Sequence, residues 1–127
     1  MIPHPLILNV DDNDAARHAK TRLLMNAGFA VQEASNGIDA MMMVAKLLPR
    51  LVLLDVKLPD ISGAEVCRRL KADPATHGVL VLQTSAALVS LHDTRLGMAA
   101  GADSYLAAPF EPSELIARVR SLLAASQ

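Results

Sequence analysis

Short apolar segments alternate with longer amphipathic segments along the chain, and each kind of segment predicts a different element. Residues 51–54 form an unbroken apolar run, which is typical of a strand that is covered on both faces of a parallel sheet. Residues 38–48 instead repeat apolar side chains at helical spacing until Pro49 stops the pattern. Patterns of these two kinds predict five strands, at residues 6–10, 29–34, 51–54, 79–83 and 104–106. They also predict five helices, at residues 15–27, 38–48, 64–72, 89–100 and 111–123.

The strict alternation of strand and helix predicts a parallel sheet with helices on both faces, joined by right-handed crossovers. A chain of 127 residues has a common size for one domain, so we expect residues 1–127 to form a single domain. Hydrophobic residues make up 52% of the chain and aromatic residues only 2%, which predicts an aliphatic core.

Charge and composition exclude several classes of function. The net charge is -1 and no segment is a basic run, which argues against direct binding of nucleic acid. The lone Cys67 cannot form an internal disulfide, as is usual for proteins of a reducing cytosol. No apolar stretch reaches the roughly 18 residues of a membrane helix, and no basic region of a secretory signal is present. We therefore expect a cytoplasmic protein that does not insert into a membrane.

Acidic and hydroxyl side chains follow the predicted strands at the edge where open α/β sheets carry their sites. Asp11 and Asp12 follow the first strand, Asp55 follows the third, and Thr84 and Ser85 follow the fourth. A single Asp at such a place is usually a turn residue or a helix cap. Three carboxylates that converge on one edge of the sheet instead favour a functional site.

Carboxylates held close together repel one another, so we expect at least one to have a raised pKa unless a cation joins them. Oxygen ligands of this kind suit Mg²⁺, which should stabilise the folded protein by binding it. Asp55 lies at the end of a central strand, where it can act as the nucleophile toward a phosphoryl group. The Ser85 hydroxyl can donate to the phosphoryl oxygens.

These residues resemble the receiver domain of two-component response regulators, and the resemblance covers nearly the whole chain. Each matching segment is weak by itself, but their order and spacing together are specific. The segments are Val10-Asp11-Asp12, Leu53-Leu54-Asp55 with Pro59 and Gly63, Thr84-Ser85-Ala86, and Gly101-Ala102-Asp103-Ser104-Tyr105 with Pro109 and Phe110.

The resemblance implies a flavodoxin-like fold, a five-stranded parallel sheet of order 2-1-3-4-5 with five helices on both faces. It implies that Asp55 accepts a phosphoryl group from a histidine kinase or a histidine phosphotransfer protein. Asp11, Asp12, Asp55 and the backbone carbonyl of Lys57 would hold Mg²⁺. Such a protein is not an enzyme beyond its own phosphorylation and dephosphorylation.

The resemblance also implies how the signal leaves the site. Ser85 matches the family's switch hydroxyl, although Thr84 is a near competitor, and Tyr105 matches its switch aromatic. Tyr105 as plain core packing is an open alternative. The family signals through its fourth helix, fifth strand and fifth helix, here about residues 89–123, to a downstream protein or an output domain. The same face pairs many receivers, so a homodimer is a further expectation.

One position departs from the family pattern. The family has a Lys directly before the Pro of the fifth loop, and this chain has Ala108 there. Two interpretations follow: a working receiver with altered phosphorylation, or a degenerate receiver that binds its partner independently of phosphorylation. Lys57 is a candidate to replace the lost cation, because it stands beside the predicted pocket.

A phosphatase of the haloacid dehalogenase type is an alternative from another class. Such an enzyme needs a second Asp two residues after its nucleophile, and Lys57 occupies that position here. The sequence therefore argues against it.

Overall fold

The computed structural model describes residues 4–85, 95–96 and 98–126. Its strands are β1 (Leu6–Val10), β2 (Ala30–Ala34), β3 (Leu51–Asp55), β4 (Leu80–Ser85) and β5 (Ser104–Ala107). They form one parallel sheet of order β2-β1-β3-β4-β5, which confirms the order predicted from the resemblance. β3 is buried along its whole length at the centre of the sheet, as its unbroken apolar run indicated.

Four helices lie in the described part of the chain: α1 (Asp14–Asn26), α2 (Gly37–Leu47), α3 (Gly63–Ala72) and α4 (Pro112–Ala125). The side chains of Asn13, Asn36 and Ser62 cap the N-termini of α1, α2 and α3 by accepting backbone N–H groups. The predicted helix at residues 89–100 lies mostly outside the described residues, and its described members 95–96 and 98–99 are helical. None of the helices seen here has the length and apolarity needed to cross a bilayer.

Each face of the sheet carries an apolar core, because alternate residues of a strand point to opposite sides. Val52 and Leu54 belong to the core beneath α2 and α3, whereas Leu51 and Leu53 belong to the core beneath α1 and α4. Helices therefore cover both faces, as predicted. Cys67 is fully buried in the first core, and burial raises the pKa of its thiol to about 11, so it acts as an apolar packing residue.

β4 is longer than predicted and continues through Thr84 to Ser85. The polar side chains end the apolar pattern, but backbone pairing does not stop with it. The Val56 N–H donates to the Thr84 carbonyl at 2.9 Å, and the Ala108 N–H donates to the Ser85 carbonyl at 3.1 Å. Both hydroxyl residues are thus held on a regular strand at the carboxyl edge of the sheet.

The loop after β3 runs very close to the end of that strand. Gly63 has no room for a Cβ atom, which would overlap the backbone carbonyl oxygen of Asp55. The Gly63 N–H also donates to the Val56 carbonyl at 2.8 Å. The start of α3 is therefore fixed directly against the residue that carries the candidate chemistry.

Candidate functional site

Three carboxylates meet at the carboxyl edge of the sheet because β1 and β3 are neighbours. Asp11 directly follows β1, Asp12 comes next, and Asp55 ends β3. Each offers an oxygen atom, and these oxygens all lie within 4.8 Å of one another. Asp11 and Asp55 are buried, whereas Asp12 is exposed. The structure thus brings together the three acids that the sequence singled out.

Backbone and side-chain donors hold Asp11 in place. The Asn13 N–H donates to Asp11 Oδ1 at 2.9 Å, and the Arg17 guanidinium donates to the Asp11 backbone carbonyl at 2.8 Å. Among the described residues the Asp55 carboxylate has weaker support, because its Oδ1 accepts a single, long contact of 3.4 Å from the Lys57 N–H. Asp11 is therefore the more firmly held of the two buried carboxylates, and Asp55 is the less neutralised one.

Burial, and next the negative charge of Asp11, raise the pKa of Asp55 from its ordinary 3.8 to about 6. The Lys57 N–H and the charge of Lys20 oppose that rise, and the charge of Asp12 adds to it. A raised pKa in this cluster agrees with the prediction made from like charges. At neutral pH Asp55 is still mainly ionised, so it is available both as a ligand and as a nucleophile.

Lys20 is a member of the site that sequence reasoning missed. Its Nζ atom lies 2.8 Å from Asp11 Oδ2, and its side chain is only 11% exposed. A signal was present, because Lys20 interrupts the face of α1 on which Ala16 and Leu23 recur at helical spacing. A lysine on the inward face of a helix is unusual unless a carboxylate faces it.

A cavity of about 310 Å³ opens beside the carboxylates, between α1 and the ends of the central strands. Its lining combines the two buried acids, the lysine, two hydroxyl residues and small or apolar side chains. These are Asp11, Ala16, Ala19, Lys20, Leu23, Asp55, Thr84, Ser85, Ala108 and Phe110.

The two candidate hydroxyl residues have different surroundings, although both line this cavity. Thr84 is buried and is the register partner of Asp55, so their side chains share a face of the sheet. Ser85 is half-buried and alternates to the other face, which also carries Gln83 and its register partner Tyr105. Ser85 therefore lines the cavity and also lies on the strand face that carries Tyr105.

The other predicted site residues lie around this centre. Tyr105 is half-buried on β5, and its carbonyl accepts a hydrogen bond from Arg118 at 3.1 Å. The side chain of Lys57 is exposed, and its backbone lies in the turn after β3. Residues 89–94 and 97 of the predicted signalling surface lie outside the described residues.

Gln83 is a second feature that the sequence did not single out. It is fully buried, and its side-chain amide finds no hydrogen-bond partner among the residues that the structure describes. An apolar residue at position 83 would avoid the free-energy cost of burying a polar amide without a hydrogen bond.

The donor set at the edge of the sheet fits Mg²⁺. The ion prefers carboxylate oxygens in small number together with water, and the clustered oxygens of Asp11, Asp12 and Asp55 are of this kind. The exposure of Asp12 leaves the cluster open to solvent on one side.

A family model of the response regulator receiver domain matches residues 7–120. The chain belongs to this family. Its relatives include the DNA-binding dual master transcriptional regulator RpaA of Synechocystis, which is 40% identical over 119 residues. These make up 94% of this chain and 49% of RpaA. The response regulator MprA of Mycobacterium leprae is 42% identical over 117 residues, which make up 92% of this chain and 50% of MprA.

Solved structures agree with this assignment. A putative response regulator from Chloroflexus aurantiacus superposes on the receiver domain with a TM-score of 0.90 at 37% identity, covering 97% of this chain and 99% of that one. A receiver domain protein from Methanospirillum hungatei gives a TM-score of 0.90 at 25% identity, covering 97% and 96%. The chain is thus a response regulator receiver domain of two-component signalling, and it spans about half the length of RpaA and MprA.

Proposed function

We propose that residues 1–127 act as one receiver domain that accepts a phosphoryl group on Asp55 in the presence of Mg²⁺. The observation that carries this proposal is the meeting of three carboxylate oxygens within 4.8 Å at the mouth of a cavity. Of the two buried carboxylates in that set, Asp55 has the weaker hydrogen-bond support among the described residues, and its pKa is raised, which suits a carboxylate that must react.

In the proposed reaction an oxygen of the Asp55 carboxylate attacks the phosphorus of a phosphohistidine on a kinase or phosphotransfer protein. A P–O bond forms, the P–N bond breaks, and its electron pair stays on the imidazole nitrogen of the donor. Mg²⁺ held by Asp11, Asp12, Asp55 and the Lys57 carbonyl would reduce the repulsion between the carboxylates and the incoming phosphoryl oxygens.

Ser85 is the proposed donor to the new phosphoryl group, since it lines the cavity and shares a strand face with Tyr105. A hydrogen bond from its hydroxyl would change the packing beneath Tyr105 and so shift the population of surface states. The proposed binding partners that respond to this change are a downstream protein, an output domain or a second copy of the chain. The name of RpaA describes DNA binding by that protein, whereas the net charge of -1 argues against direct DNA contact by this domain.

A time course of intact mass tests the acceptor. The protein is incubated with Mg²⁺ and acetyl phosphate, beside Asp55→Asn and a sample in EDTA. We expect a mass increase of one phosphoryl group in the unaltered protein and in neither of the others. The absence of an adduct from a protein shown by calorimetry to bind Mg²⁺ contradicts the proposal.

Ala108 favours a second candidate function, a degenerate receiver that serves as a binding module. In that case the affinity for a partner is the same whether Asp55 is modified or not. Partner affinity measured with and without beryllofluoride, a stable mimic of the phosphoryl group, separates the two functions. The variant Lys57→Ala tests whether Lys57 replaces the missing cation. Unchanged rates of adduct formation and adduct decay in this variant would exclude Lys57 from that role.

A further inference from the structure

The ammonium group of Lys20 lies inside the acidic site, although Lys20 belongs to a helix rather than to the fifth loop. Its Nζ atom is 2.8 Å from Asp11 Oδ2, and the side chains of Lys20 and Asp11 are 11% and 6% exposed. Burial of an ammonium group costs free energy unless a carboxylate pairs with it. Here the pair faces a cavity that also contains Asp55.

The helix that carries Lys20 is braced against the strand that carries Asp11. The buried Asn9 side chain donates to the Arg17 carbonyl at 2.8 Å and to Thr21 Oγ1 at 3.0 Å. The Arg17 guanidinium in turn donates to the Asp11 carbonyl and to Glu33. These bonds fix the middle of α1 relative to β1, so the Lys20 ammonium is held at a defined place beside the carboxylates.

The cavity has space for a group next to Lys20. Ala108, which stands where the family has Lys, and the neighbouring Ala16 and Ala19 all contribute short side chains to its lining. A phosphoryl group on Asp55 would enter a cavity in which Lys20 is the cation among the residues that line it.

We propose that Lys20 replaces the missing fifth-loop lysine: its ammonium pairs with Asp11 in the resting domain and with the phosphoryl oxygens on Asp55 after transfer. This inference rests on the proposed function. The Lys20 ammonium would neutralise the negative charge of the phosphoryl group, as the fifth-loop lysine does in the family. It does so from α1 rather than from the loop after β5. Lys20 is then a residue that touches the reacting group.

The test combines removal and relocation of the cation. Rates of adduct formation with acetyl phosphate at saturating Mg²⁺, and rates of adduct decay, are measured by intact mass. The variants are Lys20→Met, Lys20→Arg and the double variant Lys20→Met with Ala108→Lys. Lys46→Met is the matched control, because Lys46 is an exposed lysine near the end of α2. Calorimetry gives the Mg²⁺ affinity of each protein, and thermal melting shows that each is folded.

We expect Lys20→Met to form the adduct on the order of tenfold to a hundredfold more slowly, and Lys46→Met to match the unaltered protein. Mg²⁺ should bind Lys20→Met at least as tightly as before, because a positive charge beside Asp11 has been removed. A slower reaction therefore cannot come from a lost metal. Lys20→Arg should keep part of the rate, and Ala108→Lys should restore much of it in the double variant.

Equal rates in Lys20→Met and the unaltered protein overturn the inference while leaving the proposed function intact. A slow Lys20→Met that Ala108→Lys does not accelerate also overturns it, since the loss is then one of packing rather than of a cation. The absence of any adduct in the unaltered protein refutes the proposed function, and the assignment of Lys20 falls with it.

Discussion

Asp55 and Glu65 lie on either side of one loop, and their pKa values move in opposite directions. Burial and the charge of Asp11 raise the pKa of Asp55 to about 6. Hydrogen bonds from Arg68 and Arg69, at 2.6 and 2.7 Å, lower the pKa of Glu65 to about 2. The contrast shows two uses of a carboxylate: Glu65 is fully satisfied within its helix, whereas Asp55 keeps unsatisfied negative charge that a metal ion or a phosphoryl group can engage.

The first residue of α3, which lies between the two carboxylates, gives the largest expected effect on stability. Gly63→Ala places a methyl group against the Asp55 carbonyl oxygen, and backbone cannot move aside as a flexible side chain can. We expect the free energy of unfolding to fall on the order of 4 kcal/mol, measured by chemical denaturation. Gly78→Ala is the control, because a Cβ there meets no atom within 4 Å. Equal stabilities of the two variants would show that the loop is looser than the structure describes.

Removal of the Asp55 charge should stabilise the metal-free protein. The folded pKa is about 6 against an ordinary 3.8, so the ionised group destabilises the fold by at most about 3 kcal/mol above pH 6. That penalty is lost as the pH falls from 6 to 3.8, because the folded state takes up the proton first. In EDTA, Asp55→Asn should therefore be more stable than the unaltered protein at pH 8, and the difference should shrink toward pH 4. A difference that does not vary with pH contradicts the raised pKa.

Mg²⁺ should relieve the same repulsion. By mass action the gain in stability is about 1.4 kcal/mol when free Mg²⁺ is about ten times its dissociation constant. Thermal melting with and without Mg²⁺ measures it. Asp12→Asn should lose most of the shift, whereas Asp73→Asn, at an exposed carboxylate between α3 and β4, should keep it. If Mg²⁺ does not change the melting temperature of the unaltered protein, the result argues against the metal site.

Glu65→Gln should change the free energy of unfolding least, and the change should depend on pH in the opposite sense to that of Asp55→Asn. The Glu65 carboxylate has a lowered pKa, so its stabilising effect is present above its ordinary 4.5 and is lost as the pH falls toward 2. We expect Glu65→Gln to be slightly less stable at pH 7 and equal to the unaltered protein near pH 2. Because the pair is solvent-accessible, added salt should reduce the difference at pH 7. A loss of stability that grows in acid would reverse the assignment.

The alternation of strands and helices and the acidic cluster were predictable because they depend on local patterns, whereas the strand order was predicted from the resemblance to receiver domains. Unbroken apolar runs identify buried parallel strands, and parallel strands bring the residues that follow them to one edge. Asp11, Asp12 and Asp55 therefore met where the sequence placed them. The ends of β4 were not predictable from apolarity, since backbone pairing carries the strand through Thr84 and Ser85.

Lys20 was missed for a different reason. The sequence directed attention to loops at the strand ends, and to Lys57 as the lysine next to Asp55. Which lysine enters the pocket depends on how α1 packs, and that packing is set by the Asn9 and Arg17 hydrogen bonds between distant segments. Such contacts leave no periodic signal in the chain. An inward-facing lysine on an otherwise apolar helix face is the nearest available clue.

The proposed function depends above all on Asp55 as the residue that carries the phosphoryl group. The most direct test treats the acetyl phosphate-labelled protein with borohydride, which reduces an aspartyl phosphate to homoserine, and locates the converted residue by peptide mass spectrometry. We expect homoserine at position 55 and none at positions 11 or 12. Conversion at another residue, or no conversion in a protein that binds Mg²⁺, would contradict it.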